Sequence, residues 1–194
     1  MENESNDIER HPWAPFMPAG ARVLIMGTFP PGQHRWSMDF YYPNPTNDFW
    51  RIMGLLYFAD KNALWLAGEK RFNLERIKAL LTERGIAMSD TARMVRRLRG
   101  NASDKFLEIL EPTDIRAMLG HMPECRHVVC TGEKAAAVAA EQLGVAVPKM
   151  GECIAGKGGV TLWRMPSSSR AYPMALPRKA EFYARMLRAA GGLP

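Results

Sequence analysis

The residues best suited to chemistry stand together in the segment MPSSSR. Ser167, Ser168 and Ser169 can donate several hydroxyl and backbone hydrogen bonds to a phosphate, and Arg170 adds a positive charge that can reach into DNA. The alternative is a solvated turn that binds nothing, which is the commoner role of a serine-rich loop. The residue types alone leave both interpretations open.

Two other segments combine tight turns, aromatic rings and polar side chains. FPPG follows an apolar run, and its two prolines fix the backbone and remove two amide donors, which predicts a sharp turn. A polar and aromatic loop then extends from Gln33 to Asn47. A loop this long in a compact domain is usually functional or disordered, and its aromatic content favours a function. Asn47 and Asp90 also each fit the N-cap of a following helix.

Basic side chains form one stripe and one isolated position. The stripe, which includes Arg93, Arg96, Arg97 and Arg99, falls on a predicted helix. Together with Lys105 it could follow a DNA backbone, although a solvated helix face is the usual explanation of such a run. Lys134 follows a predicted turn and is better placed to contact a phosphate. The formal net charge of +6 is compatible with a polyanionic partner.

These residues are separated by alternating strand and helix patterns. Apolar runs predict buried strands in ARVLIMG, IAMSD, RHVVCTG and TLWRMP. Periodic patterns and capping residues predict helices in DFWRIMGLLYF, NLERIKALLTERG, TARMVRRLR, SDKFLEIL, EPTDIRAMLGHM, EKAAAVAAEQLG and LPRKAEFYARMLRAAGG. This alternation predicts an α/β fold, a three-layer α/β/α sandwich with a central, mostly parallel four-stranded sheet. Ligands bind outside the carboxyl ends of such strands, where GTFPPG, SDTA and MPSSSR fall.

Length and composition indicate a folded protein with one main domain. The chain has 194 residues, of which 47% are hydrophobic and 24% charged, and this length suits one sizeable core. Residues 1–20 are predicted to be a tail and a proline-rich lead-in, and residues 21–194 a single domain. No segment has the apolar length of a membrane helix, and the first ten residues lack the order of a signal peptide. We therefore expect a cytoplasmic monomer.

Metal and cofactor chemistry have little support in the sequence. Three cysteines are too few and too scattered for a disulfide framework or for an iron–sulfur cluster with four ligands. The four histidines show no ligand pattern. Neither a GxxxxGK[ST] loop nor a GxGxxG fingerprint after a strand is present. We expect no metal and no cofactor.

The order of three motifs resembles the uracil-DNA glycosylase superfamily. GTFPPG follows the first strand, YYPNPTNDFW lies downstream, and MPSSSR follows the last strand. MPSSSR resembles the closing loop of the thymine/mismatch-specific branch, whereas GTFP and PTNDFWRIMG are similar to the hypoxanthine-DNA glycosylase branch. The resemblance implies the same three-layer fold and a monofunctional enzyme. Such an enzyme hydrolyses the N-glycosidic bond of uracil, hypoxanthine or mismatched thymine in DNA and leaves an abasic site.

The resemblance also implies a base pocket and a DNA-binding loop. The base pocket would include the following residues: Gly27, Thr28, Phe29, Pro30, Tyr42, Phe49 and Thr131. Within it, Phe49 resembles the aromatic residue that stacks on the flipped base, and Tyr42 would form a wall. Ser167 to Ser169 resemble the serines that pinch the DNA backbone, and Arg170 resembles the wedge that fills the space left by the base.

Four positions decide how this chain would catalyse the reaction. Phe29 stands where the mismatch branch has a water-orienting Asn. The hypoxanthine branch implies Asn47 instead, whose carboxamide can hold a water through both donor and acceptor, alongside or in place of a capping role. Met165 replaces a His that stabilises the departing base in many relatives, so we expect slow turnover. Asp90 stands where several relatives read the base edge with an Asn. Its carboxylate, which only accepts, would favour a base with N–H donors or would contact the water.

The sequence leaves three functions open. The first is the DNA glycosylase. The second is a small-molecule nucleosidase with a similar sheet, which the wedge-like loop disfavours because a free nucleoside needs no wedge. The third is a non-catalytic DNA-damage-binding protein, which the replacements at Phe29 and Met165 make plausible. Production of abasic sites separates the first from the third.

Overall fold

The computed structural model describes residues 8–98 and 104–193. The helices are α1 (Phe49–Phe58), α2 (Leu74–Arg84), α3 (Ile115–Gly120), α4 (Glu133–Leu143) and α5 (Leu176–Ala189). The strands are β1 (Ile8–Arg10), β2 (Val23–Gly27), β3 (Trp65–Leu66), β4 (Arg71–Phe72), β5 (Ile86–Asp90), β6 (Ala92–Arg97), β7 (Leu107–Pro112), β8 (His127–Thr131), β9 (Cys153–Ala155) and β10 (Thr161–Met165). No helix in these two ranges has the length and apolarity needed to cross a membrane.

The central sheet has the strand order β5-β2-β8-β10-β9. Its first four strands are parallel and in register, with Val23 of β2 beside Ile86 of β5 on one side and His127 of β8 on the other. These are the four strands that the sequence predicts. The short strand β9, which the sequence analysis did not predict, adds an antiparallel fifth strand at the edge beside β10.

Helices cover both faces of this sheet, which confirms the three-layer α/β/α prediction. Successive side chains of a strand point to opposite faces. Val23 and Ile25 of β2 therefore pack into one core with α1, α2 and α5, whereas Leu24 and Met26 pack into another core with α3 and α4. All five residues of β2 are buried, which is why its sequence is a continuous apolar run rather than an alternating one.

A second, antiparallel sheet has the order β1-β6-β7, and it corrects two helix predictions. TARMVRRLR forms strand β6, and SDKFLEIL gives the single turn Asp104–Phe106 and strand β7. Arg and Met favour helices, but β6 gains backbone partners on both sides and buries Val95 in a small core with Leu107. Pairing between distant segments thus overrides local propensity. Asp90 consequently ends a strand and caps no helix.

The long loop before α1 is anchored to its surroundings by aromatic side chains. The indole N–H of Trp36 donates to the Pro31 carbonyl at 2.7 Å, and that of Trp50 donates to the Tyr41 carbonyl at 2.9 Å. Tyr41 itself is buried, and its hydroxyl donates to the Ala14 carbonyl at 3.1 Å. These bonds hold the loop in a fixed position above the carboxyl ends of the parallel strands.

Candidate functional site

A cleft of about 610 Å³ lies at the carboxyl ends of the parallel strands, where the topology predicts a ligand site. The segments that the sequence analysis singled out meet there, because each follows the end of a different element. The lining residues are Gly27, Thr28, Phe29, Pro30, Pro31, Arg35, Tyr42, Pro43, Asn44, Thr46, Asn47, Asp90, Lys105, Thr131, Ser167, Ser168, Ser169, Arg170, Ala171, Tyr172 and Pro173. Two predicted residues, Phe49 and Lys134, are not part of this lining.

Gly27 allows two polar side chains to approach the end of β2 closely. A Cβ at this position would lie 2.9 Å from Oδ1 of Asp90 and 3.2 Å from the hydroxyl oxygen of Tyr42. The first distance is shorter than a side chain tolerates, so a larger residue would displace the carboxylate. The glycine therefore lets Asp90 and Tyr42 stand side by side at the bottom of the cleft.

Asp90 is buried, and its carboxylate forms a hydrogen bond with His11, which lies just after β1. Nε2 of His11 lies 2.8 Å from Oδ2 of Asp90, and the His11 side chain is 0% exposed. His11 follows β1, which pairs with β6 and thereby carries the ring to the end of β5. The ring of His11 also lies edge-on to Phe29 and is stacked on Tyr41. No motif in the sequence marks His11 as a site residue.

Tyr42, not Phe49, presents an aromatic ring to the cleft. The two rings are stacked with centroids 4.1 Å apart and planes 16° apart, and Phe49 beneath is 0% exposed. Phe49 thus supports Tyr42 and cannot itself touch a ligand in the cleft, which corrects the assignment of Phe49 as the stacking residue. Tyr42 adopts a left-handed backbone conformation, with φ of 54°, that turns its ring into this place.

The Tyr42 hydroxyl stays protonated and forms a hydrogen bond with the Thr131 hydroxyl. Burial, followed by the charge of Asp90, raises the pKa of Tyr42 well above its ordinary value. Its oxygen lies 2.6 Å from Oγ1 of Thr131, which is 3.5 Å from the Met26 carbonyl. If the Thr131 hydroxyl donates to that carbonyl, the Tyr42 hydroxyl donates to Thr131. Tyr42 then offers its remaining lone pair, and Asp90 its free oxygen Oδ1, as hydrogen-bond acceptors.

Asn47 lies two residues before the start of α1, and its carboxamide oxygen already accepts one hydrogen bond. Its Oδ1 accepts a hydrogen bond from the Phe49 amide at 2.9 Å, although the N-cap position of α1 is Asp48. Asn47 is therefore not the N-cap residue that the sequence predicts, although its side chain satisfies the first amide of the helix, and it also lines the cleft. Its backbone pairs with Ser169 in an isolated antiparallel bridge, so the long loop and the serine loop meet at this residue.

The serine loop is fastened to α1 by buried charges. The Asp48 amide donates to the Ser168 carbonyl at 2.8 Å, and Nε of Arg170 donates to Oδ1 of Asp48 at 3.0 Å. Nζ of Lys179, whose side chain is 0% exposed, donates to the Ser169 carbonyl at 2.7 Å and lies 3.3 Å from Oδ2 of Asp48. These contacts fix the loop from Ser167 to Arg170 at the rim of the cleft, while about half of the Arg170 side chain stays exposed.

The basic stripe lies on a strand, and its described members bond to the protein itself. Arg97 forms a two-pronged ion pair with Glu9 and also donates to the Pro30 carbonyl. Arg93 donates to the Trp13 carbonyl at 2.9 Å, and Arg96 pairs with Glu108. Arg99 lies outside the described residues. The stripe thus holds the β1 segment and the first loop in place, a role that the sequence did not indicate.

Cations nonetheless surround the opening of the cleft. Arg35, Lys105 and Arg170 line it from three separate segments, and the first two are exposed. Lys134 is located elsewhere: it lies in the first turn of α4 and donates to the Leu107 carbonyl. Among the described residues, no three His, Cys, Asp or Glu side chains are grouped as metal ligands would be. The cleft therefore combines an acceptor-rich floor with a cationic rim, which suits a polar ring attached to a phosphate backbone.

Comparisons with known proteins give a fold but no family. No protein-family profile and no curated protein sequence matches the chain. The structure is similar to the solution NMR structure of a Methanosarcina acetivorans protein that carries a provisional assignment as a uracil DNA glycosylase. The TM-score is 0.62 at 20% sequence identity, and the alignment covers 95% of this chain and 99% of the other. The chain therefore has the fold of that protein.

Proposed function

We propose that the protein is a monofunctional DNA glycosylase that removes a deaminated or mismatched base and leaves an abasic site. The observation that carries the proposal is the convergence of four segments on one cleft: the Gly27 loop, Asn47, Asp90 and the serine loop. The fold shared with the Methanosarcina acetivorans protein supports it. A duplex offers a base to such a cleft only when the nucleotide flips out of the stack.

Each part of the cleft has a task in this reaction. Tyr42 provides a flat surface on which the flipped base stacks, and Asp90 accepts a hydrogen bond from an N–H on the base edge. The serine loop binds the DNA backbone, and Arg170 occupies the space that the base has left. Arg35 and Lys105 contact flanking phosphates. Uracil, hypoxanthine and xanthine all present a ring N–H, and the cleft residues alone do not choose among them.

Hydrolysis needs one water near the sugar carbon. Cleavage passes through an oxocarbenium-like sugar, so the protein must position the water and tolerate positive charge on the ring. Nδ2 of Asn47 donates to the water oxygen, while the second lone pair of its Oδ1 accepts a water proton. Among the described residues, the only lysine that lines the cleft is Lys105, which is exposed at the rim, so we expect no lysine nucleophile. The product is therefore an abasic site without strand cleavage.

The proposal is tested with end-labelled duplexes that carry one uracil, hypoxanthine, xanthine or G·T mismatch. Purified protein is incubated with each duplex, which is then treated with alkali to reveal abasic sites. We expect Asn47→Ala to lower single-turnover cleavage by about 100-fold, the usual cost of a misplaced reacting group. Asn44→Ala is the matched control, because Asn44 lies in the same loop and lines the same cleft.

Two outcomes would redirect the proposal. If Asn47→Ala and Asn44→Ala lose cleavage equally, Asn47 does not position the water, and Asp90 or the first loop becomes the candidate for that role. No cleavage of any duplex despite tight binding would favour a non-catalytic damage binder. Met165 gives that alternative one structural argument, since it is 1% exposed and cannot stabilise a departing base. Slow turnover is expected for the same reason, because only backbone amides and water remain to stabilise the leaving group.

A further inference from the structure

His11 is joined to the floor of the cleft although it belongs to another sheet. It follows β1, at the edge of the second sheet, and its ring is fully enclosed between Phe29, Tyr41 and Asp90. A buried imidazole next to a buried carboxylate must satisfy its ring nitrogens, because an unpaired polar group in the interior is costly. The local geometry shows how each nitrogen is used.

A carboxylate only accepts hydrogen bonds, so Nε2 of His11 is the donor to the Asp90 carboxylate whether the ring is neutral or charged. In the neutral ring, Nδ1 accepts from the Trp13 amide at 3.2 Å, so the proton is on Nε2. In the charged ring, Nδ1–H donates to the Trp13 carbonyl at 3.0 Å, and Nε2 keeps its own proton. Either way Oδ2 of Asp90 accepts a hydrogen bond of 2.8 Å from the ring.

The other oxygen of Asp90 remains for a ligand. Oδ1 lies beside Gly27, where a Cβ would approach it to 2.9 Å, and no described residue donates a hydrogen bond to it. Asp90 lines the cleft, so the bond from His11 to Oδ2 fixes the direction in which Oδ1 points. Backbone contacts reinforce this position, since the Thr91 amide donates to the Gly27 carbonyl at 2.8 Å.

We infer that His11 is a positioning residue of the reaction, which acts by fixing the Asp90 carboxylate with Oδ1 turned toward the bound base. This inference rests on the proposed function. It places part of the machinery in the β1 segment, outside the strands whose carboxyl ends form the cleft. The segment docks through separate contacts, which include the pairing of β1 with β6 and the ion pair between Glu9 and Arg97.

Three variants separate the hydrogen bond from simple docking of the segment. His11→Leu keeps an apolar volume but donates nothing, whereas the amide of His11→Gln can still donate to Asp90. Glu9→Gln weakens the docking ion pair and leaves His11 unchanged. We expect His11→Leu to lower single-turnover excision by about 10- to 100-fold, the effect of losing one hydrogen bond to a charged group. His11→Gln should restore most of that loss, and Glu9→Gln should behave as the wild type.

A double-mutant cycle with Asp90→Ala tests whether His11 acts through Asp90. We expect His11→Leu to cause no further loss once the carboxylate is absent. An undiminished loss in the Asp90→Ala background would overturn the inference, as would a loss in Glu9→Gln equal to that in His11→Leu. Unfolding curves for every variant show whether each remains folded.

A spectroscopic measurement keeps this inference separate from the proposed function. In ¹⁵N NMR of the protein without DNA, we expect the His11 ring to carry a proton on Nε2, with a resonance that shifts in Asp90→Ala. If the wild type excises no base, the proposed function fails. The inference is then decided by this spectrum and by the affinity of His11→Leu for the same duplexes. An unprotonated Nε2 would refute it.

Discussion

Lys179→Met is the substitution whose cost follows most directly from the structure. The buried ammonium lies 2.7 Å from the Ser169 carbonyl and 3.3 Å from Oδ2 of Asp48. Removing one partner of a buried ion pair costs about 3–5 kcal/mol, because the other charge stays buried. Arg170 still pairs with Oδ1 of Asp48 at 3.0 Å, so we expect the lower end of that range, about 3 kcal/mol. For a chain of this size that is a fall in Tm of about 6–12 °C.

The assay is urea unfolding followed by circular dichroism, with the slope against urea compared to confirm two-state behaviour. Glu181→Gln is the matched control on the same helix, since its ion pair with Arg178 is exposed and should change the free energy of unfolding by less than about 0.5 kcal/mol. Asp48→Asn combined with Lys179→Met should recover part of the loss, because the one charge then left without its partner, on Arg170, is about half exposed. If Lys179→Met costs no more than Glu181→Gln, the buried pair does not hold the serine loop as described.

Three other predictions follow from the same structure. Gly27→Ala should lower excision by about 100-fold in a single-turnover assay, because its Cβ displaces the Asp90 carboxylate, and normal activity would contradict that close approach. A thiol reagent near pH 8 should modify only the exposed Cys153 in the folded protein and all three thiols in urea. The reason is that burial raises the pKa of the other two thiols, to about 11 for Cys125. Burial lowers the pKa of His127 in the folded state, so the unfolded state binds more protons as the pH falls, and the urea midpoint should drop between pH 7.5 and pH 5.5. That drop should be smaller in His127→Asn, and an equal drop would exclude this histidine as its source.

The parts of the fold that the sequence predicts are those whose signals are local. β2 is a short apolar run ending in glycine, because both of its faces are buried. The helix from Leu74 to Arg84 is marked by Asn73, whose side chain caps it, and by Gly85, which ends it in a left-handed conformation. Strand β6 has no comparable signal, since its partner β1 lies more than eighty residues earlier in the chain and its arginines favour a helix.

The residues of the candidate site also fall into two groups, those that could be predicted from the sequence and those that could not. The rule that ligands bind at the carboxyl ends of parallel strands is enough to bring Gly27, Asp90 and the serine loop together. It could not decide which aromatic ring faces the cleft, because that depends on how α1 rotates to bury Phe49 against the core. Nor could it find His11, a single histidine in a segment whose sequence carries no ligand pattern.

The pairing of β1 with β6 has a consequence for the order of folding. His11 and Asp90 are 79 positions apart, so closing that loop is slow and costs more chain entropy than forming a helix. The helices and the parallel strands can collapse without it, whereas the cleft floor is finished only when the edge strand arrives. A refolding chain should therefore recover its helical circular dichroism before the β1 segment docks, and the close approach of Trp13 to Trp36 offers a fluorescent signal for that late step.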